Sequence, residues 1–422
     1  MLPGLKYIKY NILNKRILIE NFTFLGVLHV TNLILFLITV PFLFKVLGSR
    51  LYGLIVFAQA LVAYFSIFIN YGFNLSATRD VAIYRDDEVK LSEIISSVIT
   101  LKVILFIISL LMMIILTIVF YNLRIHRELF ILSMLMCLSE ALFPVWYFQG
   151  MERMKYITYL NASTRIVAVI GVILFIKSEK DYLLYPILMG TGMVSGSLIS
   201  LFLMFSQSRI QFRFQPVKQL ISYFSGNLMY FLSNVSSQVY AYANKLIIGS
   251  FLGLVEVAYY DIAEKVVNIL RVPYSLLGQT IFPKYSRDRN VNFLKKMFFL
   301  TMIMTVFLLG VLYIFSDEVV LLLTGSENYN SVMTMRILSL TLVPLSFIMY
   351  FGDIVLITYD RKKEYTFMKF SGLLLYITLF LTVKVIGSLN VFSLAVITVT
   401  VEYTIAFYAY YLCNRHNWFR VS

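Results

Sequence analysis

A stripe of charged and polar side chains runs along one face of an apolar segment between residues 257 and 282. Its members are Asp261, Glu264, Lys265, Asn268, Arg271, Ser275 and Gln279. They follow the first member by 3, 4, 7, 10, 14 and 18 residues, which puts them on one side of an α-helix. In hydrocarbon, four charged side chains at mid-membrane would cost on the order of 10 kcal/mol. We therefore expect this face to meet water, a ligand or partner charges instead of lipid.

Basic side chains on this stripe and on two other apolar segments are candidate ligand-binding cations, because a charged group within a span faces a cavity or a partner instead of lipid. They are Arg271, Lys265 and Lys245, followed by Arg165.

Acidic side chains inside apolar segments are suited to ion coupling, because a buried carboxylate changes its protonation when its surroundings change. The candidates are Glu264, Glu140, Asp261 and Asp353. The competing interpretation is charge pairing, since Asp261 and Lys265 are four residues apart on one helix. For Asp261 we favour charge pairing. For Glu264 and Glu140, ion coupling and charge pairing are equally supported.

Uncharged polar residues form two further stripes, in the second and seventh apolar segments. These are Gln59, Ser66, Asn70 and Asn74 in the second, and Asn227, Asn234, Ser237, Gln238 and Lys245 in the seventh. A stripe of four or more polar side chains within a span favours a water-filled cavity. We predict that Gln59, Asn70, Asn74, Asn234 and Gln238 line a polar cavity with Asn268 and Gln279. The alternative is that these side chains hold neighbouring membrane helices together.

The composition identifies the kind of molecule that carries these stripes. Of 422 residues, 60% are hydrophobic and only 14% are charged, far more apolar than a soluble chain of this length. Long continuous apolar runs predict an all-α, polytopic membrane protein, since a barrel would show short alternating segments. Twelve segments are long enough to span a bilayer. They lie near 19–44, 52–75, 94–121, 128–150, 156–177, 182–206, 220–249, 256–282, 293–316, 331–358, 365–386 and 389–412.

The basic residues between these segments predict the orientation of the chain. If the N-terminus is cytoplasmic, 23 Lys and Arg lie on the inner side and 7 on the outer side. The positive-inside rule then places both termini in the cytoplasm. Because the positive charge is explained in this way, no nucleic-acid partner is expected.

A polar connector near the middle of the chain divides it into two predicted lobes of six helices each. We assign residues 1–206 to the first lobe, 207–218 to a cytoplasmic linker and 219–422 to the second lobe. A weak repeat supports related halves, since Leu47-Gly48 with Gly53 recurs 205 residues later as Leu252-Gly253 with Ala258.

The other connectors are short, and no catalytic constellation, metal-ligand spacing or Gly-rich phosphate loop is present. We therefore predict a transporter and not an enzyme, with no cofactor and no metal.

Three blocks of sequence carry a specific resemblance. They read PFLFKVLGSRLYGLIVFAQALVAYFSIFINYGFNLSATRDVA from Pro41 to Ala82, FPVWYFQGMERMKYITYLNASTRI from Phe143 to Ile166, and NKLIIGSFLGLVEVAYYDIAEK from Asn244 to Lys265. Together they resemble polysaccharide flippases of the Wzx type, in the multidrug/oligosaccharidyl-lipid/polysaccharide exporter superfamily. One departure is Asn244-Lys245, where an acidic residue is common in the family.

The resemblance implies a twelve-helix, two-lobe transporter of the bacterial inner membrane. Such a protein moves undecaprenyl-pyrophosphate-linked oligosaccharide units to the outer leaflet for O-antigen or capsule synthesis, by alternating access around a central cavity. For such a cargo, the resemblance implies that Arg271, Lys265 and Lys245, followed by Arg165, bind the pyrophosphate, because Arg can bind phosphate through two parallel N–H donors and Lys attracts it as a point charge. It also implies that the amides and hydroxyls of the polar stripes hydrogen-bond the sugars. Expected partners are that glycan lipid, the membrane lipid, and the glycan polymerase and chain-length regulator of the same pathway.

Two other functions remain open from the sequence. A multidrug exporter of the same superfamily would favour a less cationic, more aromatic cavity. A membrane-embedded glycan polymerase or glycosyltransferase would need catalytic groups, which usually lie on a large outer loop.

Overall fold

The chain folds into helices throughout the part that the structure describes. This computed structural model describes residues 3–207, 210–416 and 418, without the side chains of 3–22, 25, 207, 230, 233, 234, 236, 237 and 239–241. The α-helices are α1 Pro3–Asn70, α2 Phe73–Ile83, α3 Glu88–Val119, α4 Tyr121–Arg124, α5 Arg127–Leu142, α6 Val145–Gly150, α7 Met154–Phe175, α8 Leu184–Gln207, α9 Val217–Gly226, α10 Leu228–Phe251, α11 Leu254–Asp288, α12 Val291–Thr324, α13 Tyr329–Ser339, α14 Leu342–Phe347, α15 Lys362–Ile386 and α16 Val391–Arg415. A 3₁₀ turn covers Glu179–Leu183, and a π-helix covers Ile348–Leu356.

Helix α1 is broken at one residue. Gly48 has a φ of 74° and a ψ of 167°, so two helical segments meet there at an angle. Those dihedral angles lie outside the regions that residues with a Cβ adopt. The break falls between the predicted spans 19–44 and 52–75.

Nine helices in the described ranges are long and apolar enough to cross a bilayer. One of them, Gly26–Ile83, covers two predicted spans, and eight others match single predicted spans. Helix α11 is 35 residues long but falls outside this set, because its charged stripe lowers its hydropathy. The predicted span 220–249 includes α10, whose side chains are only partly described. The chain is thus an all-α, multi-pass membrane protein, while the number twelve and the cytoplasmic termini stay predictions.

The helices form two compact units. The first contains residues Met1–Phe42 and Leu61–Asn234, and the second contains Leu43–Ala60 and Val235–Ser422. These bounds differ from those of the predicted lobes, since Leu43–Ala60 belongs to the second unit and 219–234 to the first.

The first unit has a core of aromatic residues and close helix contacts. Helix α8 packs against both α5 and α7, and α2 packs against α6. Phe73, Phe130, Trp146, Tyr147 and Phe148 are almost fully buried. The outer face of α3 is apolar and exposed, including Ile104, Ile107 and Leu111, as expected of a helix that faces lipid.

The second unit depends on one close backbone approach. A Cβ on Gly53 would lie 1.8 Å from the carbonyl oxygen of Leu254 and 3.3 Å from the backbone nitrogen of Ala258. Only a residue without a side chain therefore lets the segment Leu43–Ala60 pack on α11. This contact explains why that segment belongs to the second unit. It also brings Gly53 against Ala258, its counterpart in the sequence repeat.

Candidate functional site

The charged stripe of α11 begins in an ion-pair cluster, which we define as Lys245, Asp261, Glu264 and Lys265. Asp261 is 1% exposed, and its carboxylate lies 2.8 Å from Lys245 Nζ and 2.7 Å from Lys265 Nζ. Lys245 also pairs with Glu264, at 2.6 Å. The two ammonium groups and the two carboxylates of the ion-pair cluster therefore neutralise one another around the buried Asp261.

Tyr52 completes this ion-pair cluster from the segment Leu43–Ala60. Its hydroxyl donates a hydrogen bond to Asp261 Oδ2 at 2.7 Å and accepts one from Lys265 Nζ at 3.1 Å. The Lys265 ammonium also lies 5.6 Å from the centre of the Tyr52 ring, a favourable cation–π distance. The pairing expected between Asp261 and Lys265 from their spacing is thus present, together with two partners from distant parts of the sequence.

A buried amide lies beside the ion-pair cluster and joins four helices. Asn244 donates to the hydroxyls of Tyr260 at 2.6 Å and Thr398 at 2.8 Å, and it accepts from the hydroxyl of Tyr376 at 2.6 Å. These bonds connect α10, α11, α15 and α16. Asn244, one of the two residues that depart from the family pattern, therefore has hydrogen-bond partners for both its amide nitrogen and its amide oxygen.

Arg271, the next cation along the stripe, has a different environment. Its Nη2 donates to Thr341 Oγ1 at 2.7 Å, and its Nε is buried without a hydrogen-bond partner. Within the described ranges, no carboxylate lies within ion-pair distance of this guanidinium. The described residues therefore leave one donor of this guanidinium available for a ligand, whereas Lys245 and Lys265 are paired with carboxylates.

Arg271 lines a cavity of about 480 Å³ within the second unit. The other lining residues include Ser275, Gln279, Met349 and Asp353. The volume lies within the range typical of ligand sites. Most of the wall is apolar, with the guanidinium and the Asp353 carboxylate as its charged groups, so the cavity suits a ligand with an anionic group and an apolar part.

The π-helix Ile348–Leu356 forms one wall of this cavity and carries Asp353. Asp353 accepts a hydrogen bond from Tyr365 at 3.0 Å, and Lys369 Nζ lies 3.9 Å away. A π-helical turn is rare and is frequently found at functional sites. The cavity thus brings together three predicted site residues: Arg271, Gln279 and Asp353. Asn268 is exposed on α11 and does not line it.

The predicted residues of the first unit form a separate group. Asn70 Nδ2 donates to Glu140 Oε1 at 2.7 Å, and Ser66 contacts Cys137 at 3.5 Å. Arg165 donates to Asn32 Oδ1 at 2.8 Å. These bonds join neighbouring helices, the role expected of polar residues that hold membrane helices together.

The remaining predicted residues are distributed between the units. Asn74 is in the first unit, and its Oδ1 is buried without a hydrogen-bond partner among the residues described. Gln59 and Gln238 belong to the second unit. The side chain of Asn234 lies outside the described residues.

Lys102 is a buried charged residue that the sequence interpretation did not single out. It is 1% exposed in the middle of α3, and its Nζ has no hydrogen-bond partner in the described ranges. The carboxylate that attracts it electrostatically is Glu140. A single lysine within a long apolar helix was the signal in the sequence.

No group of three or more His, Cys, Asp and Glu side chains capable of holding a metal occurs among the residues described.

The sequence pattern of a family described as "Polysaccharide biosynthesis protein" matches residues 18–288. A "Putative O-antigen transporter" of Escherichia coli (strain K12) is 24% identical over 363 residues, 84% of this chain and 86% of the relative. A protein of the same name from Shigella dysenteriae is 25% identical over 283 residues, 66% of this chain and 70% of the relative.

Two solved structures share the fold. One is the lipid II flippase MurJ in an inward closed conformation, with a TM-score of 0.73, 15% identity, and coverage of 93% of this chain and 87% of that one. The other is an inward-facing multidrug resistance MATE family transporter of the MOP superfamily, with a TM-score of 0.74, 13% identity, and coverage of 91% and 97%. The fold is therefore that of MurJ and the MATE transporters.

Proposed function

This chain belongs to the family of polysaccharide biosynthesis proteins, and we propose from that membership that it is a flippase for lipid-linked glycans. Its cargo would be an undecaprenyl-pyrophosphate-linked repeat unit, moved from the cytoplasmic to the outer leaflet of the bacterial inner membrane. The name of the curated relatives, O-antigen transporter, supports O-antigen or capsule synthesis as the pathway. The relatives are named as transporters, in agreement with the prediction that the chain is not an enzyme.

The cargo defines what such a protein must provide. The prenyl tail can stay in lipid, but the pyrophosphate is charged and the glycan is polar. Moving either through hydrocarbon would cost several kcal/mol per unpaired group. A flippase therefore needs an available cation for the pyrophosphate and hydrogen-bonding groups for the sugars, inside a protected path that opens to each side in turn.

The observation that carries the proposal is the state of Arg271. It is a cation in a cavity of ligand size, with a free donor and no carboxylate partner in the described part of the chain. A guanidinium in a poorly hydrated site binds phosphate oxygens through strong charge-assisted hydrogen bonds. We propose that Arg271 contacts the pyrophosphate and that the apolar wall accommodates the start of the prenyl chain.

The ion-pair cluster has a different proposed role. Since Lys245 and Lys265 are already paired, they would contact the cargo only after exchanging their carboxylate partners. We propose that Asp261 holds the cluster closed and that Glu264 and Lys265, which are more exposed, exchange partners during alternating access. Glu140 and Asp353 remain proposed coupling carboxylates.

Deletion of the gene tests the function as a whole. We expect surface polysaccharide to disappear and lipid-linked repeat units to accumulate in the inner leaflet, both restored by the wild-type chain. Polysaccharide that persists at normal levels after deletion would show that the chain is not this flippase.

Arg271→Gln tests the pyrophosphate contact. We expect surface polysaccharide to fall about ten- to hundredfold at unchanged membrane levels of the protein, because a hydrogen bond to a charged group contributes about 1.5 to 3 kcal/mol. Arg336→Gln is the matched control, since Arg336 pairs with Asp317 and does not line the cavity. Equal activity of both variants would contradict the role of Arg271.

A multidrug exporter is the second candidate, because a MATE transporter shares the fold at a TM-score of 0.74. An unpaired arginine in the cavity disfavours it, since the substrates of such exporters are often cationic. Increased drug susceptibility of the deletion strain with normal surface polysaccharide would favour the exporter.

A further inference from the structure

We infer that a polar pocket in the first unit, formed by α2, α3, α9 and Asn227, binds one sugar ring of the glycan before translocation. The pocket has a volume of about 320 Å³ and includes Ser76, Asp80, Glu93, Gln219, Tyr223 and Asn227. This size is at the lower end of small-molecule sites and fits a single ring. The inference rests on the proposed function, because a glycan must be the cargo for the site to have this ligand.

Asn227 supplies the first reason. It is 5% exposed, and its Nδ2 donates to the backbone oxygen of Tyr223 at 2.7 Å. This bond determines the orientation of the amide, because a flipped amide would place two acceptor oxygens against each other. Asn227 Oδ1 is then a buried acceptor for which the described residues provide no donor. A buried polar atom is normally hydrogen-bonded, so the missing partner is a donor that enters the pocket.

The two carboxylates of the pocket, on Asp80 and Glu93, can also accept more hydrogen bonds than they receive from the protein. Asp80 receives the hydroxyl of Tyr223 at 3.0 Å and the guanidinium of Arg79 at 2.7 Å. Glu93 receives the side-chain amide of Gln219 and the ammonium of Lys90. Each carboxylate oxygen can accept more than one hydrogen bond, so both retain capacity for a ligand.

This chemistry selects the class of ligand. The pocket is also lined by Arg79, whose guanidinium pairs with Asp80, and Lys90 pairs with Glu93. The charges around the pocket are therefore balanced, and no excess of positive charge attracts a phosphate. The unfilled acceptors call for a neutral molecule with several donors close together. A pyranose ring, with a hydroxyl on most of its carbons, has that character.

The surroundings of the pocket place it on the side from which the cargo is delivered. The loop between α2 and α3 carries Arg85, the linker before α9 carries Arg213, and the first turn of α9 carries Lys218. These basic residues predict a cytoplasmic location. The linker is held along α3 by hydrogen bonds from the backbone nitrogens of Gln211 and Arg213 to Ser92 and Ser96, at 3.2 and 3.0 Å.

Two variants remove the site in different ways. Asn227→Leu removes the unfilled acceptor. Gly226→Leu adds a side chain at a residue that lines the pocket, where a Cβ would meet no described atom within 4 Å, so we expect it to obstruct the pocket and leave Asn227 in place. Asn122→Leu is the matched control, because Asn122 is an exposed asparagine on α4 that does not line the pocket.

The experiment is saturation-transfer NMR on the purified full-length chain in detergent, with methyl glycosides of glucose, galactose, N-acetylglucosamine and rhamnose as probes. We expect at least one glycoside to bind the wild type and the control variant. We expect its affinity to fall about tenfold in Asn227→Leu, since one hydrogen bond is lost, and binding to disappear in Gly226→Leu. Inorganic phosphate should not compete.

Three results would overturn the inference. The first is that no glycoside binds the wild type, as expected of a pocket that holds only water. The others are that both pocket variants bind as well as the control, or that phosphate competes with the glycoside. Complementation separates these results from failure of the proposed function. A wild-type chain that restores surface polysaccharide without binding any glycoside loses only the sugar site. A wild-type chain that does not restore it loses the flippase function.

Discussion

Asp261 is a buried carboxylate that contacts two ammonium groups and a tyrosine hydroxyl. Its two oxygens lie near the ammonium groups of Lys245 and Lys265, and Tyr52 donates to it. Its burial means that water cannot replace any of these partners. Asp261 and Glu264 together thus compensate the cost of placing two lysines in a membrane protein.

Asp261→Asn should destabilise the protein strongly. The substitution leaves two buried or half-buried ammonium groups with one carboxylate between them, a change that costs about 3 to 5 kcal/mol when one partner of a buried pair is removed. The measurement is the free energy of unfolding in detergent. Asp317→Asn is the control, since Asp317 pairs with Arg336 but is 67% exposed, and we expect a change below about 1 kcal/mol there. Equal effects in the two variants would mean that the cluster is hydrated.

Lys102 presents the opposite case, a buried amine without a partner in the described ranges. A membrane protein gains nothing in stability from such a group, so its presence indicates a function.

Lys102→Met should make the protein more stable, by about 1 to 3 kcal/mol, because it replaces an unsatisfied buried polar group with an apolar one of similar length. Thermal unfolding in detergent measures this change. Lys90→Met is the control, since Lys90 is half exposed and pairs with Glu93. Loss of stability in Lys102→Met would reveal a bonding partner for the amine, whereas greater stability with loss of transport would assign Lys102 a role in the transport cycle.

At the scale of the elements, the sequence repeat acquires a structural meaning. Gly48 and Gly253 occupy equivalent repeat positions, and both have positive φ, 74° and 122°, with ψ near 165°. Each therefore precedes a helix at a bend that favours glycine. The sequence indicated the repeat only weakly, because the shared feature is a backbone geometry that few residue identities record.

Gly53→Ala should weaken the second unit. The added methyl would meet the backbone of Leu254, which cannot move away without displacing α11, and we expect a loss of about 1 to 3 kcal/mol. Gly310→Ala is the control within a helix, since a Cβ there meets no atom within 4 Å, and it should be neutral or stabilising by up to about 1 kcal/mol. The comparison is made by thermal unfolding, and a neutral Gly53→Ala would mean that Leu43–Ala60 does not pack on α11 as described.

The π-helix is an element whose type could not be predicted from the sequence. Residues 348–356 read as part of an ordinary apolar span, and nothing in their types distinguishes a π-helix from an α-helix. The difference arises from packing, and it decides where Asp353 lies relative to Arg271. The pairing of Asp261 with Lys265 was predictable from local spacing, but the contributions of Lys245 and Tyr52 depend on contacts between distant segments.

At the scale of the whole molecule, composition and the length of apolar runs were enough to predict the all-α membrane fold. Hydropathy also located most spans, because burial in lipid imposes both length and apolarity. It could not assign Leu43–Ala60 to the second unit, since that assignment depends on the packing of Gly53 and not on hydropathy.

The predicted orientation is testable with single cysteines in a chain that lacks Cys137 and Cys413. A membrane-impermeant maleimide should label Ser326→Cys in intact cells, because the outer segments carry few basic residues. Lys362→Cys lies in a basic inner segment and should react only after the membrane is permeabilised. Both positions are exposed, so access depends on the membrane alone. The reverse pattern would invert the orientation.

The assignment of Leu43–Ala60 to the second unit has a consequence for how the protein is made. The ribosome synthesises Gly53 about 200 residues before its partner Leu254, which at about 5 to 20 residues per second is a delay of roughly 10 to 40 s. During that interval the segment is made before Asp261 and Lys265, the residues that Tyr52 bonds in the folded protein, and before the surface of α11 that Gly53 contacts. Biogenesis of this protein therefore includes a waiting period in which lipid, an insertion factor or a chaperone must shield a segment whose permanent neighbours do not yet exist.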